Sequence, residues 1–159
     1  MAIVLARIDG RLIHGQVAMP WTKAVQAEKI VVIDDQAAND EVQKMMLEFG
    51  APSSVIVEIY NNKEGVDALK SGTAENHRTM IVVRGPDTML YLIKQGISLE
   101  EINVGGMYYE EGKEQFEKAL YVNKYEIEIF KKIKELQVPM YYQIAPLNKR
   151  HDLFSIISE

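Results

Sequence analysis

The chain is 159 residues long, which suits one domain with a real core. Its 47% hydrophobic and 26% charged residues exclude a disordered tail or low-complexity linker. A formal charge of -5 argues against nucleic-acid binding, and zero cysteines exclude a disulfide scaffold and thiol chemistry and fit a reducing compartment.

An apolar run at residues 3–8 reads as the first strand. The opening Met1-Ala2-Ile3-Val4-Leu5-Ala6-Arg7 is too short, and lacks the basic lead, for a signal peptide. Arg7-Ile8-Asp9-Gly10-Arg11-Leu12-Ile13-His14-Gly15-Gln16-Val17 comes next, and residues 15–27 read as a helix. Further strands are expected at 29–33, 55–60, 79–83, 101–104 and 139–144. Between them, Val42, Met45, Met46 and Phe49 recur at helical spacing, as do Met89, Leu92 and Ile93. Gly50, Gly72 and Gly96 fall where left-handed helix caps are expected.

Residues 107–123 read as a surface loop leading to a short edge strand. Ile129, Ile133 and Leu136 form one stripe of a helix over 125–136, and Asn123 with Glu126 has the form of a capping box. Lys131, Lys132 and Lys134 alternate with Glu126, Glu128 and Glu135, as on a solvated helix face. Residues 152–157 read as a terminal helix packed on the sheet or on a second subunit. The alternation predicts an α/β fold: one open, mostly parallel twisted sheet with helices on both faces and a possible antiparallel edge strand near the C-terminus. No apolar segment approaches the roughly 20 residues needed to cross a bilayer.

In open α/β sheets, chemistry collects beyond the carboxyl ends of the strands, where residues 9–15 emerge. An imidazole is largely neutral, hence nucleophilic, near pH 7. Arginines beside it can grip a dianionic phosphoryl group through forked hydrogen bonds. Gly15 and Gln16 begin a helix whose free N–H groups could face an anion held by His14. The pattern suggests a phosphate-handling histidine; the plainer alternative is a βα turn with His14 as a surface residue.

The same stretch resembles the signature of the IIB subunit of the mannose/fructose/sorbose family of the bacterial phosphoenolpyruvate-dependent phosphotransferase system (PTS). Trp21-Thr22, Val31-Val32-Ile33-Asp34-Asp35, Ile102-Asn103-Val104-Gly105-Gly106-Met107 and Gly112-Lys113 extend the similarity. The resemblance implies a single IIB domain over residues 1–159 that acts as a phosphotransferase and needs neither cofactor nor metal. It implies that His14 accepts a phosphoryl group, with Nδ1 as acceptor, from a phosphohistidine on a IIA protein. The group would pass to the 6-hydroxyl of a sugar bound by membrane IIC and IID subunits. Arg11 matches the family arginine beside the histidine, Arg7 is a second candidate for charge neutralisation, and Asp9 is expected to fix Arg11 or the loop. Gly10 stands where family members often carry an acidic residue. A homodimer in the cytoplasm, peripheral to the membrane through IIC and IID, is also implied. Mannose, fructose, sorbose, N-acetylgalactosamine and other amino sugars all remain open.

Arg84 reads either as a phosphate or partner contact or as a salt-bridged surface arginine before a helix begun by Pro86. Gly105 and Gly106 are expected in a tight turn lining the active edge. Asp34 and Asp35 are read as capping or hydrogen-bonding the histidine loop. His77 and His151 are isolated, so a zinc site is not expected. The rival function is a non-catalytic module that binds phosphate or a sugar phosphate on the same fold.

Overall fold

The computed structural model describes residues 2–157. Its first five strands are β1 (Ile3–Asp9), β2 (Lys29–Ile33), β3 (Ile56–Tyr60), β4 (Thr79–Val83) and β5 (Ile102–Gly106). Next come a small hairpin, β6 (Glu114–Glu117) and β7 (Leu120–Val122), and then β8 (Met140–Tyr142) and β9 (His151–Asp152). Among the described residues, a seven-stranded sheet runs β3-β2-β4-β1-β5-β8-β9, parallel throughout except for β9 against β8. Every residue of β2, β4 and β5 is buried, as strands covered on both faces require.

The helices are α1 (Gly15–Val25), α2 (Asp35–Ala38), α3 (Glu41–Gly50), α4 (Asn62–Lys70), α5 (Pro86–Lys94) and α6 (Lys124–Glu135). Short polar side chains set where several of them start. Asp34, Asp40 and Asn61 accept backbone N–H bonds at the starts of α2, α3 and α4, and Asn123 with Glu126 forms a complete capping box on α6. Each such cap contributes about 1 kcal/mol.

The sheet splits its side chains by alternation. Ile30 and Val32 join Trp21, Ala37 and Leu47 in one core, under α1, α2 and α3. Val31 and Ile33 join Leu69, Met89, Leu92 and Phe130 in the other, under α4, α5 and α6. The chain therefore leaves β1 toward one face, whereas it leaves the neighbouring β4 and β5 toward the other. That parting opens the sheet edge around the segment after β1, the position where doubly wound sheets hold their ligands.

Several segments differ from expectation. Residues 107–123 hold the β6–β7 hairpin, tied to the main sheet by a Met107–Leu120 bridge and by the Tyr142 hydroxyl donating to the Lys118 carbonyl. Burial, and after it the charge of Glu117, pushes that phenol up to about 12. The C-terminal segment forms β9 and a single 3-10 turn, Leu153–Ser155, rather than a helix. Gly72 and Gly96 take left-handed conformations, but Gly50 is the last residue inside α3. Gly105 and Gly106 belong to β5 and form no turn. The stripe Val42, Met45, Met46 and Phe49 faces solvent, while Gln43 and Lys44 are half-buried on the inner side of α3.

Candidate active site

Alternation along β1 puts Arg7 and Asp9 on one side of the strand and Ile8 in the core on the other. Arg7 is 1% exposed and Asp9 is fully buried, so each charge needs a partner. Arg7 Nη2 donates to Asp9 Oδ2 at 3.1 Å. Its Nη1 donates to Asn103 Oδ1 and, at 3.3 Å, to the Gln143 carbonyl, which also accepts from Asn103 Nδ2 at 3.0 Å. The guanidinium lies 5.3 Å from the Trp21 ring centroid. Burial pulls the Arg7 pKa below its ordinary value, and the Asp9 carboxylate pulls it back up. A Cβ at Gly105 would overlap the Arg7 guanidinium. The expected turn glycine is therefore a vacancy in a strand, filled by an arginine from the next one. Arg7, the second candidate for charge neutralisation, is thus enclosed, and the charge that it meets in this structure is that of Asp9.

Asp9 organises the loop between β1 and α1. Its Oδ1 accepts the Arg11 N–H at 2.9 Å and its backbone carbonyl accepts the Leu12 N–H at 2.9 Å. Leu12 sits in the left-handed region at φ 59 with its side chain buried, so the loop holds a conformation that costs a non-glycine residue about 1–3 kcal/mol. Gly10 is held from both sides: its N–H donates to the Gly106 carbonyl at 2.7 Å, and its carbonyl accepts from Arg84 Nη1 at 3.2 Å. Gly106 has no space for a side chain because the Tyr108 hydroxyl lies against it.

His14 is the N-cap residue of α1, with extended backbone, and its side chain makes no capping bond. Its side chain is 27% exposed, yet Nε2 is buried without a hydrogen-bond partner and lies 3.8 Å from Asp9 Oδ2. That separation exceeds a hydrogen bond, but the carboxylate charge favours the tautomer with its proton on Nε2. Among the described residues, none hydrogen-bonds Nδ1, which keeps its lone pair for an electrophile. Arg11 is exposed, with its guanidinium 4.3 Å from the Tyr108 ring centroid, a cation–π contact that holds it on the loop surface. Burial, and after it the Asp9 charge, raises the Tyr108 pKa. Gly15 is exposed and has open space around it. The side chain of Gln16 lies outside the described residues.

Arg84 is salt-bridged in this structure, just before α5 begins. Its Nε and Nη2 form a fork on Asp34 at 3.1 and 2.9 Å while Nη1 holds Gly10, so the guanidinium is already engaged. Among the described residues, Asp34 reaches the histidine loop through that arginine. Among the described residues, no cluster of His, Cys, Asp or Glu is placed to hold a metal ion, and no helix is long and apolar enough to cross a membrane.

Asn103, Gln143 and Tyr108 complete the site, although the sequence alone does not single them out as site residues. Asn103 carries a usable signal, since an amide within a fully buried strand requires a polar partner. Gln143 takes part through its backbone carbonyl, which side-chain chemistry does not advertise.

Comparison with known proteins gives this geometry a family. The model of the PTS system sorbose subfamily IIB component matches residues 3–159. The sorbose-specific EIIB component of Lacticaseibacillus casei is 30% identical over 159 residues, covering 100% of this chain and 97% of that protein. The mannose-specific EIIAB component of Escherichia coli K12 is 32% identical over 159 residues, which are 100% of this chain and 49% of that protein. Among solved structures, the IIBSor domain of the sorbose permease from Klebsiella pneumoniae superposes with a TM-score of 0.94 at 29% identity, covering 99% of this chain and 97% of that one. The chain belongs to the sorbose-subfamily IIB components of the phosphotransferase system.

Proposed function

We propose that His14 is the residue through which this IIB component carries phosphate. The family is one of phosphotransferases that relay phosphate toward sugar uptake, and the chain has no cysteine to serve as an alternative acceptor. The single observation that carries the assignment is the His14 ring itself. Nε2 is turned inward toward Asp9, and Nδ1 is left unengaged at the sheet edge.

The donor is a phosphohistidine on a IIA protein. The Nδ1 lone pair attacks phosphorus in line, the N–P bond to the donor imidazole breaks, and that imidazole leaves with the bonding electrons. Asp9 stabilises the positive charge that builds on the His14 ring as Nδ1 becomes bonded. Arg11, at the surface, lies over the equatorial oxygens, and the first free N–H groups of α1 face the same charge. In the second step a sugar hydroxyl on the IIC/IID acceptor attacks phosphorus, its proton passing to a base on the acceptor or to water, and the His14 N–P bond breaks with its electron pair returning to Nδ1. Residues 1–159 are read as one IIB domain, assembled as a homodimer and peripheral at the inner membrane face through its acceptor. The names of relatives span sorbose, mannose and N-acetylgalactosamine, so the sugar is not assigned.

The test is intact-protein mass after exposure to phosphoenolpyruvate, enzyme I, the phosphocarrier protein and a panel of IIA proteins. A single acid-labile phosphoryl adduct is expected, dependent on a IIA and absent from His14→Ala. Because the ring makes no capping bond, His14→Ala should change stability by less than about 0.5 kcal/mol. An adduct that persists in the variant would sink the assignment.

A further inference from the structure

Helix α3 is turned the wrong way round for an isolated domain. Its apolar residues Val42, Met45, Met46 and Phe49 are 63–89% exposed, whereas polar Gln43 and Lys44 are half-buried and Gln43 Oε1 lacks a hydrogen-bond partner. Leu47 is the only buried apolar side chain of the helix. Large apolar residues gathered on one surface mark an interaction site, and methionines suit a surface that must adapt to a partner. The patch adjoins the histidine loop. Gly50, at the end of α3, packs so closely under it that a Cβ there would lie 3.3 Å from the Ile13 carbonyl and 3.7 Å from His14 Cα.

Charge selects the occupant. The patch shares its helix with exposed Glu41 and Glu48 and with the exposed N-cap Asp40, and the half-buried Lys44 is engaged by Glu41 at 3.4 Å. Two copies packed through this face about a two-fold axis would set acidic rim against acidic rim, which is repulsive. An anionic membrane surface, next to which the acceptor works, would repel the rim as well. A protein with an apolar face and basic border is attracted, and a phosphoryl donor must come to the loop that this patch adjoins.

We propose that the exposed face of α3 is the docking surface for the phosphoryl-donor protein, whose complementary face is apolar and edged with basic side chains. The proposal rests on the relay reading and gives its first step a place to bind. Docking there brings the donor's phosphohistidine to the adjoining loop, and buried apolar contact supplies most of the affinity while the rim sets orientation and on-rate.

The experiment compares wild type with the double variant M46S/F49S and with Glu48→Lys, each first shown to be folded by its melting curve. Labelling by phosphorylated IIA is measured against IIA concentration. The double variant should need about tenfold or more IIA for half-maximal rate, with the saturated rate within about twofold of wild type. Glu48→Lys should weaken the donor, most at low salt. Onward transfer to membrane vesicles carrying IIC and IID should be unchanged. Binding is also read without chemistry: in His14→Ala, unphosphorylated IIA should shift the Met45 and Met46 methyl resonances.

Unchanged half-saturation in the double variant would overturn the proposal. Normal labelling with slowed onward transfer would reassign the face to the acceptor, and normal labelling with loss of self-association would reassign it to a second copy. Failure of every IIA to label the wild type would overturn the relay reading itself, an outcome separable from normal labelling that ignores the substitutions.

Discussion

Replacing Arg7 by methionine would leave the fully buried Asp9 carboxyl without its ion-pair partner. Removing one member of a buried ion pair costs about 3–5 kcal/mol, so Arg7→Met should lower the urea midpoint sharply. Arg11 is exposed and anchored by one ring contact. Arg11→Ala should therefore cost no more than about 1 kcal/mol of stability while slowing phosphoryl transfer by about a hundredfold. A pair of variants that lost stability equally and transfer equally would refute this division of labour. Gly105→Ala offers an independent check, because the added methyl claims the space of the Arg7 guanidinium. It should destabilise by about 1–3 kcal/mol and slow labelling, since a displaced Arg7 no longer holds Asp9 behind His14.

Among the elements, β3 carries a pH-sensitive contact at the sheet edge. Glu58 receives Lys29 Nζ at 3.0 Å, the Tyr60 hydroxyl at 2.9 Å and the Thr73 hydroxyl. Burial alone would raise its pKa, but hydrogen bonds from Thr73, Lys29 and Tyr60 outweigh burial and hold it below the usual carboxylate range. A depressed carboxylate stabilises the fold above its unfolded pKa of about 4.3, and that stability is lost as pH falls through the depressed value. Glu58→Gln should thus be less stable than wild type at pH 7, and the gap should close on acidification below about pH 4. A gap that stays constant over this range would show that Glu58 contributes by packing rather than by charge.

How much of these elements the sequence discloses depends on how far away their partners lie. Strands β1 to β5 are legible because each is an apolar run of strand length, and α6 because its capping box lies within four residues. The direction of α3 is not legible: periodicity reports that apolar residues share a face but not which way the face points. The β6–β7 hairpin offers exposed Glu114, Gln115 and Glu117 and hence no apolar alternation to trace. The site divides in the same way. Asp9, Arg11 and His14 are neighbours in one loop and can be read together. Arg7 reads as a second candidate for charge neutralisation because nothing local reveals the Asn103 amide, the Gln143 carbonyl and the vacancy at Gly105 that enclose it.

At the scale of the whole molecule, the sheet carries the site at one edge and is closed at its far side by the C-terminal segment. Leu153 and Ile157 are fully buried in the core beneath α4, α5 and α6. Leu153→Ala should therefore cost about 2–5 kcal/mol, although it sits within ten residues of the chain end, and a cost below about 1 kcal/mol would show this segment to be a loose cover. The inward bearing of His14 Nε2 has a kinetic consequence. On the function proposed above, a phosphoryl group taken up on the other ring nitrogen hangs from a side chain that is still 27% exposed. Water then competes with the acceptor, so the yield of transfer would be a race between handover and hydrolysis. The lifetime of the labelled protein without acceptor reads that race directly.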